Sequence, residues 1–134
     1  MTVMAALPGK GMAQTDFLPA DGGKATFACQ IEMAKGYVSG TCIMVREGNV
    51  IKGSIFNEFG ISAMDFSYDA DREKVKLHSV IGMLDRWYIR RVLKKDLRLV
   101  VQQLKQGKSE YENEKHHIKY SFVPTVNETE DGDQ

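Results

Sequence analysis

Hydrophobic and polar residues alternate with a period of two over much of the chain. From Thr26 to Met33, the residues Phe27, Cys29, Ile31 and Met33 share one side, while Thr26, Gln30 and Glu32 take the other. That is the pattern of a strand with one buried face. Similar runs cover Val38 to Arg46, Val50 to Asn57, Ile61 to Tyr68 and Lys74 to Ser79. Between them lie short connectors: Lys35-Gly36, Glu47-Gly48-Asn49, Glu58-Phe59-Gly60 and the polar turn from Asp69 to Lys74. Connectors this short join antiparallel neighbours, because a parallel crossover needs a dozen residues or more. The five runs therefore predict a meander.

The period then lengthens to three or four residues. Leu84, Trp87 or Tyr88, Val92, Leu97, Val100 or Val101 and Leu104 recur at helical spacing. This predicts one amphipathic helix, or two that meet near Lys95-Asp96 with Asp96 capping the second. Gly107 suits a left-handed cap at the end. Two short strands follow, Glu110 to Asn113 and His117 to Val123, and Pro124 terminates the last. The fold class expected is α+β: a curved antiparallel β-sheet, an incomplete barrel of six to seven strands, with a helical lid segment. A helical segment of about 22 residues covers only part of such a sheet. An apolar groove is then left between sheet and helix, lined by a subset of Phe56, Phe59, Met64, Phe66, Tyr68, Trp87 and Tyr88. The alternative is a sheet coiled strongly enough to close the core on itself, as a structural or protein-interaction module.

The ends read differently from the middle. Residues 1–15 hold a short apolar stretch, Met4 to Leu7, then Pro8-Gly9 and the small residues Gly11 and Ala13, which fits either a remnant signal segment or a plain tail. Residues 127–134 (NETEDGDQ) are acidic and without an apolar side chain, which predicts a disordered tail. A single β-rich domain is expected over residues 16–126.

Taking Lys35-Gly36 as a two-residue hairpin loop sets Ala34 opposite Tyr37 and Cys29 opposite Cys42. A cross-strand disulfide then has acceptable geometry. Two small buried free thiols fit the same positions, and the compartment decides between them.

Charge narrows the list of partners. Across 134 residues, 18 Lys and Arg balance 18 Asp and Glu, so the chain has no broad positive field for binding nucleic acid. The helical segment nonetheless carries Arg86, Arg90, Arg91, Lys94, Lys95, Arg98 and Lys105 against Asp85 and Asp96. Such a run is a solvated face or a peripheral contact with anionic lipid or an acidic partner. No apolar run approaches the roughly 18 to 20 residues that cross a bilayer.

Catalytic patterns are sparse. His116 and His117 are adjacent, so in a strand they point to opposite faces, and His78 is far off in sequence. Asp69 and Asp71 read as turn formers. No nucleophile or phosphate-loop motif stands out, and no enzyme activity, cofactor or metal is expected.

Three segments carry a resemblance: Ser39-Gly40-Thr41-Cys42-Ile43, then Lys52-Gly53-Ser54-Ile55-Phe56-Asn57-Glu58-Phe59-Gly60, then Asp65-Phe66-Ser67-Tyr68. Together with the order of meander, helical lid and terminal strands, they are similar to short Bacteroidetes relatives of the Lol-type lipoprotein carriers and receptors. The resemblance covers Ala25 to Pro124 and lies in pattern more than in any signature. It implies an incomplete barrel closed by helices that holds acyl chains without cofactor or catalytic residue. The present chain is much shorter, with fewer strands. The function this implies is a non-catalytic binding protein for an acyl chain or lipoprotein lipid, periplasmic or outer-membrane associated. It would be cytoplasmic if the N-terminus is no signal remnant.

Overall fold

The computed structural model describes residues 16–34 and 36–125. The N-terminal tail or signal segment expected over residues 1–15, and the acidic tail expected over 127–134, lie outside the described residues. Seven strands are present: β1 (Lys24–Met33), β2 (Gly36–Glu47), β3 (Val50–Asn57), β4 (Ser62–Asp69), β5 (Lys74–Val80), β6 (Glu110–Asn113) and β7 (Ile118–Pro124). A 3₁₀ turn (Gly82–Leu84) and one helix, α1 (Trp87–Lys105), connect β5 to β6. The strands form a single antiparallel sheet in the order β5-β4-β3-β2-β1-β7-β6. The sheet curls into a half-barrel, and α1 packs against its two edge strands, β5 and β6.

The curl has local causes. The β3–β4 register shifts between Ile55 and Phe56, and the β4–β5 register shifts between Asp65 and Phe66. Each irregularity increases the local right-handed twist. Glycine lets the backbones close up at two points. Gly40 lies where any Cβ would run into the Phe56 carbonyl, and Gly53, paired with Phe66, lies where a Cβ would run into that residue's ring. The Phe66 ring covers the bare backbone of β3, an aromatic side chain shielding a strand glycine.

Inner-face residues meet in one core. Phe27, Ile31, Met44, Ile51, Ile55, Met64 and Phe122 from the sheet pack with Leu93, Leu97, Val100, Val101 and Leu104 from α1. Five of the helix's six buried residues are apolar, at spacings of one to four, as the amphipathic pattern predicts. The sixth is Asp96, only 1% exposed. Its carboxylate accepts the 2.7 Å hydrogen bond from the Tyr120 hydroxyl and two from the Asn113 amide at 2.9 and 3.0 Å. These bonds tie α1 to β6 and β7. The Tyr120 phenol is pushed well up by burial and by the adjacent Asp96.

Of the two readings of the helical segment the single helix holds, and Asp96 is not a cap but a buried acceptor in its middle. The hairpin register needs correction. The β1–β2 hairpin closes at Met33 and Gly36, so Cys29 faces Gly40 and Cys42 faces Phe27. The actual loop sits one residue earlier than Lys35-Gly36, which slips each pair by two. A slip of two preserves faces, because the side-chain period is two. Both cysteines accordingly remain on the buried side. The helix end follows expectation: Gly107 has φ +79°, its N–H donates to Leu104, and the Lys108 N–H donates to Gln103. That is a Schellman closure.

Gly53→Ala should destabilise the fold by about 1 to 3 kcal/mol, since the Phe66 ring is buried and has nowhere to move. Gly82→Ala, with open space at its Cβ position, should change the denaturation midpoint little. Asp96→Ala should cost about 1 to 3 kcal/mol for each partner left without an acceptor, measured by denaturant unfolding. Its coupling with Asn113→Ala in a double-mutant cycle should be clearly non-zero.

Candidate functional site

The seven side chains expected to line a groove do not gather in one place. Met64, Phe66 and Tyr68 point inward from β4 and are part of the core. Phe56 is half-buried at the end of β3. Phe59 projects from the β3–β4 turn, 79% exposed. Trp87 and Tyr88 open α1, with Trp87 74% exposed, and their rings meet edge-to-face at 5.7 Å.

Topology relates the exposed members to one another. In an antiparallel meander, β2 and β4 begin where β1, β3 and β5 end. The β1–β2 turn, the β3–β4 turn and the exit from β5 toward α1 therefore share one end of the half-barrel. Tyr37, Phe59, Ile61, Trp87 and Tyr88 are all exposed there. The Ile81 N–H donates to the Ala63 carbonyl at 2.9 Å, which fixes the chain leaving β5 against the start of β4. Beneath this rim Leu77, Val80, Ile81, Ile89 and Val92 are partly buried against the core. The helix is fully buried only from Leu93 onward, so its first turns are packed more lightly than the rest.

A second surface runs along the seam between β5 and α1. Two open grooves of about 430 Å³ each adjoin there and share Arg91 and Lys94. On the helix Trp87, Arg91, Lys94 and Arg98 follow one face at spacings of three and four. Outward positions of β5 supply Lys74, Lys76 and His78. Among the described residues one ion pair forms, Arg90 with Asp85 at 3.1 Å, and Arg90 also donates to the Leu77 carbonyl at 3.3 Å. Acidic groups collect elsewhere. A third groove, about 530 Å³, crosses the outer face of β1, β7 and β6, where Glu32, Glu110 and Glu112 outnumber Lys119. None of these three grooves passes between α1 and the inner face of the sheet.

The outer face of β3, β4 and β5 carries a hydroxyl cluster that sequence reasoning missed. Asp65 accepts from Ser62 at 3.2 Å and from Ser79 at 2.7 Å. Hydrogen bonding from Ser54 and Ser79 holds its carboxyl below the ordinary aspartate range. Ser67 Oγ lies 2.9 Å from His78 Nε2. His78 reaches it because the register shift in the β4–β5 pairing leaves this residue without a strand partner, and no periodicity signals a bulge. The pair sits on an open pleated surface, and the hydrogen bonds Asp65 accepts come from serines rather than from His78. His116 and His117 lie in the β6–β7 turn rather than in a strand, with His117 at φ +57°.

Cys29 and Cys42 are free, buried thiols. Their register makes them diagonal neighbours rather than direct partners. Diagonal Cα separations of about 7 to 8 Å exceed the span a disulfide accepts without backbone movement. Burial pushes the Cys29 thiol up to about 12, and burial together with the nearby Cys29 raises Cys42 well above its ordinary range. No helix among the described residues is long and apolar enough to cross a membrane. Compared with family models, curated proteins and solved structures, the chain matches none.

Both thiols should resist an aromatic disulfide reagent at neutral pH, because neither the thiolate nor access is available. Two should titrate after denaturation without reductant; none would do so if the strands were bridged.

Proposed function

We propose that this is a non-catalytic binding protein that takes an apolar group, such as an acyl chain of a lipid or lipidated protein, at the open rim of its half-barrel. The observation that carries the reading is the placement of exposed apolar residues. Five large side chains from three separate connections stand in solvent at one end, above an interior already filled. Exposed apolar side chains gathered at one end of a domain mark interaction sites in soluble proteins. The ligand would enter where the first turns of α1 are packed most lightly, over Ile81, Ile89 and Val92, rather than along the whole helix. The likeness to Lol-type carriers supports the same reading, since a curled antiparallel half-barrel with a helix is the element they share with this chain. An envelope location, periplasmic or outer-membrane associated, belongs with that likeness. The packed core favours one second reading, an interaction module whose rim meets another protein.

Trp87, the single tryptophan, stands at the rim and reports on both readings. Its emission should shift to the blue as fatty acids are added. Affinity should rise about fourfold per methylene, the equivalent of about 0.8 kcal/mol, until the rim is filled. Phe59→Ser and Ile61→Ser should each weaken the response without lowering the unfolding midpoint. No shift at any chain length leaves the interaction-module reading.

A further inference from the structure

We propose that the seam between β5 and α1 is a docking surface for an anionic phospholipid bilayer. Its cations are not among the residues the rim uses to hold an apolar ligand, the two surfaces meet at Trp87 and Tyr88, and the proposal does not depend on that reading.

Segregated charge is the first support. The chain as a whole is neutral, yet Lys74 and Lys76 of β5 and Arg91, Lys94, Lys95 and Arg98 of α1 converge on adjoining grooves. Among the described residues none of these six forms an ion pair, and Glu73 is the one carboxylate that lines the seam. A cluster of like charges held together by the fold carries a standing repulsion, which a layer of phosphates relieves. The helix adds to it. Arg86 occupies the N-cap, no side chain caps the first turn, and no acidic residue lies in that turn. The positive end of the helix dipole and Arg86 therefore add to one another, and Asp85, just before the N-cap, is engaged by Arg90.

Shape and composition decide which anion fits. The grooves are shallow and open, and the cations run from Arg91 to Arg98 along about 10 Å of helix, with a parallel row on β5. A single phosphate would be better held in a closed pocket. An extended array of headgroups matches a row. At the N-terminal end of the same face stands Trp87, with Tyr88 beside it. Both are side chains that settle at the boundary between headgroups and acyl chains. Basic residues along a helix face, ending in exposed aromatics, are the composition of an interfacial helix. Docked this way, the protein would bring the Trp87 end of the seam, and the rim beside it, to the lipid surface.

The test is flotation of the full chain with vesicles of phosphatidylcholine alone and of phosphatidylcholine mixed with phosphatidylglycerol. Binding should require the anionic lipid and fall as salt rises, because exposed charges are screened. Replacing Lys94→Gln and Arg98→Gln together should lower partitioning about 25-fold, or about fivefold for each charge removed. Both residues are exposed, so the unfolding midpoint should hold. Glu110→Gln with Glu112→Gln in the separate groove on β6 should not weaken binding. The rim variants Phe59→Ser and Ile61→Ser should keep the dependence on anionic lipid, which separates this surface from the apolar one. Equal binding to neutral vesicles, or full binding by the Lys94/Arg98 double variant, would overturn the proposal. So would capture by a single-stranded oligonucleotide or a polyglutamate chain that anionic vesicles cannot displace.

Discussion

A single helix must close a sheet of seven strands, and the remaining features of the molecule follow from how that is achieved. A helix of 19 residues spans about 28 Å and presents one apolar stripe. Laid on a flat sheet, it would leave several strands with an uncovered inner face. The sheet instead curls until its two edges approach the same helix, so that Leu93, Leu97, Val100, Val101 and Leu104 serve residues from most strands at once. The register shifts in β3–β4 and β4–β5 and the bare backbones at Gly40 and Gly53 supply that curvature.

Closure is uneven along the helix, and the unevenness creates the rim. Asp96, Asn113 and Tyr120 hold the middle of α1 to β6 and β7 by hydrogen bonds shielded from water, where such bonds are strong and costly to leave unmade. The C-terminal end of α1 is fastened as well, since the Phe17 N–H donates to the Leu104 carbonyl at 3.0 Å. At the other end, Arg90 reaches the Leu77 carbonyl through a long, half-exposed side chain, and Trp87 and Tyr88 remain in solvent. The helix is thus clasped at its centre and C-terminus and held more lightly at its start, where exposed aromatic side chains stand.

The strand pattern was legible in the residues because alternation reports burial directly. The seven strands lie within a few residues of the expected runs, and a hairpin register wrong by two still sets Phe27, Cys29 and Ile31 on the correct face. Curvature was not legible, since period two is the same in a flat sheet and a curled one. The expectation of spare apolar surface beneath the helix came from that gap, and Met64, Phe66 and Tyr68 prove to be core. The role of Asp96 was not legible for a related reason. An acid between basic residues in a helical stretch resembles a cap, and only the approach of β6 and β7 reveals its partners. The pairing of Ser67 with His78 rests on a bulge, which leaves no periodic trace.

Net charge misleads in a similar way, by averaging over distances that the solvent does not. At physiological ionic strength the screening length is about 8 Å, well short of the roughly 28 Å length of α1. The acids Glu32, Glu110 and Glu112 line a separate groove on β1, β7 and β6, and of the two grooves along the β5–α1 seam only one includes a carboxylate, Glu73. A partner at the seam meets Lys74, Lys76, Arg91, Lys94 and Arg98 almost as an isolated basic surface. Neutrality of the whole chain argues against a broad field that attracts polyanions from any direction. It is compatible with a molecule that presents one basic side, and such a molecule approaches an anionic plane in a preferred orientation, with its aromatic rim alongside.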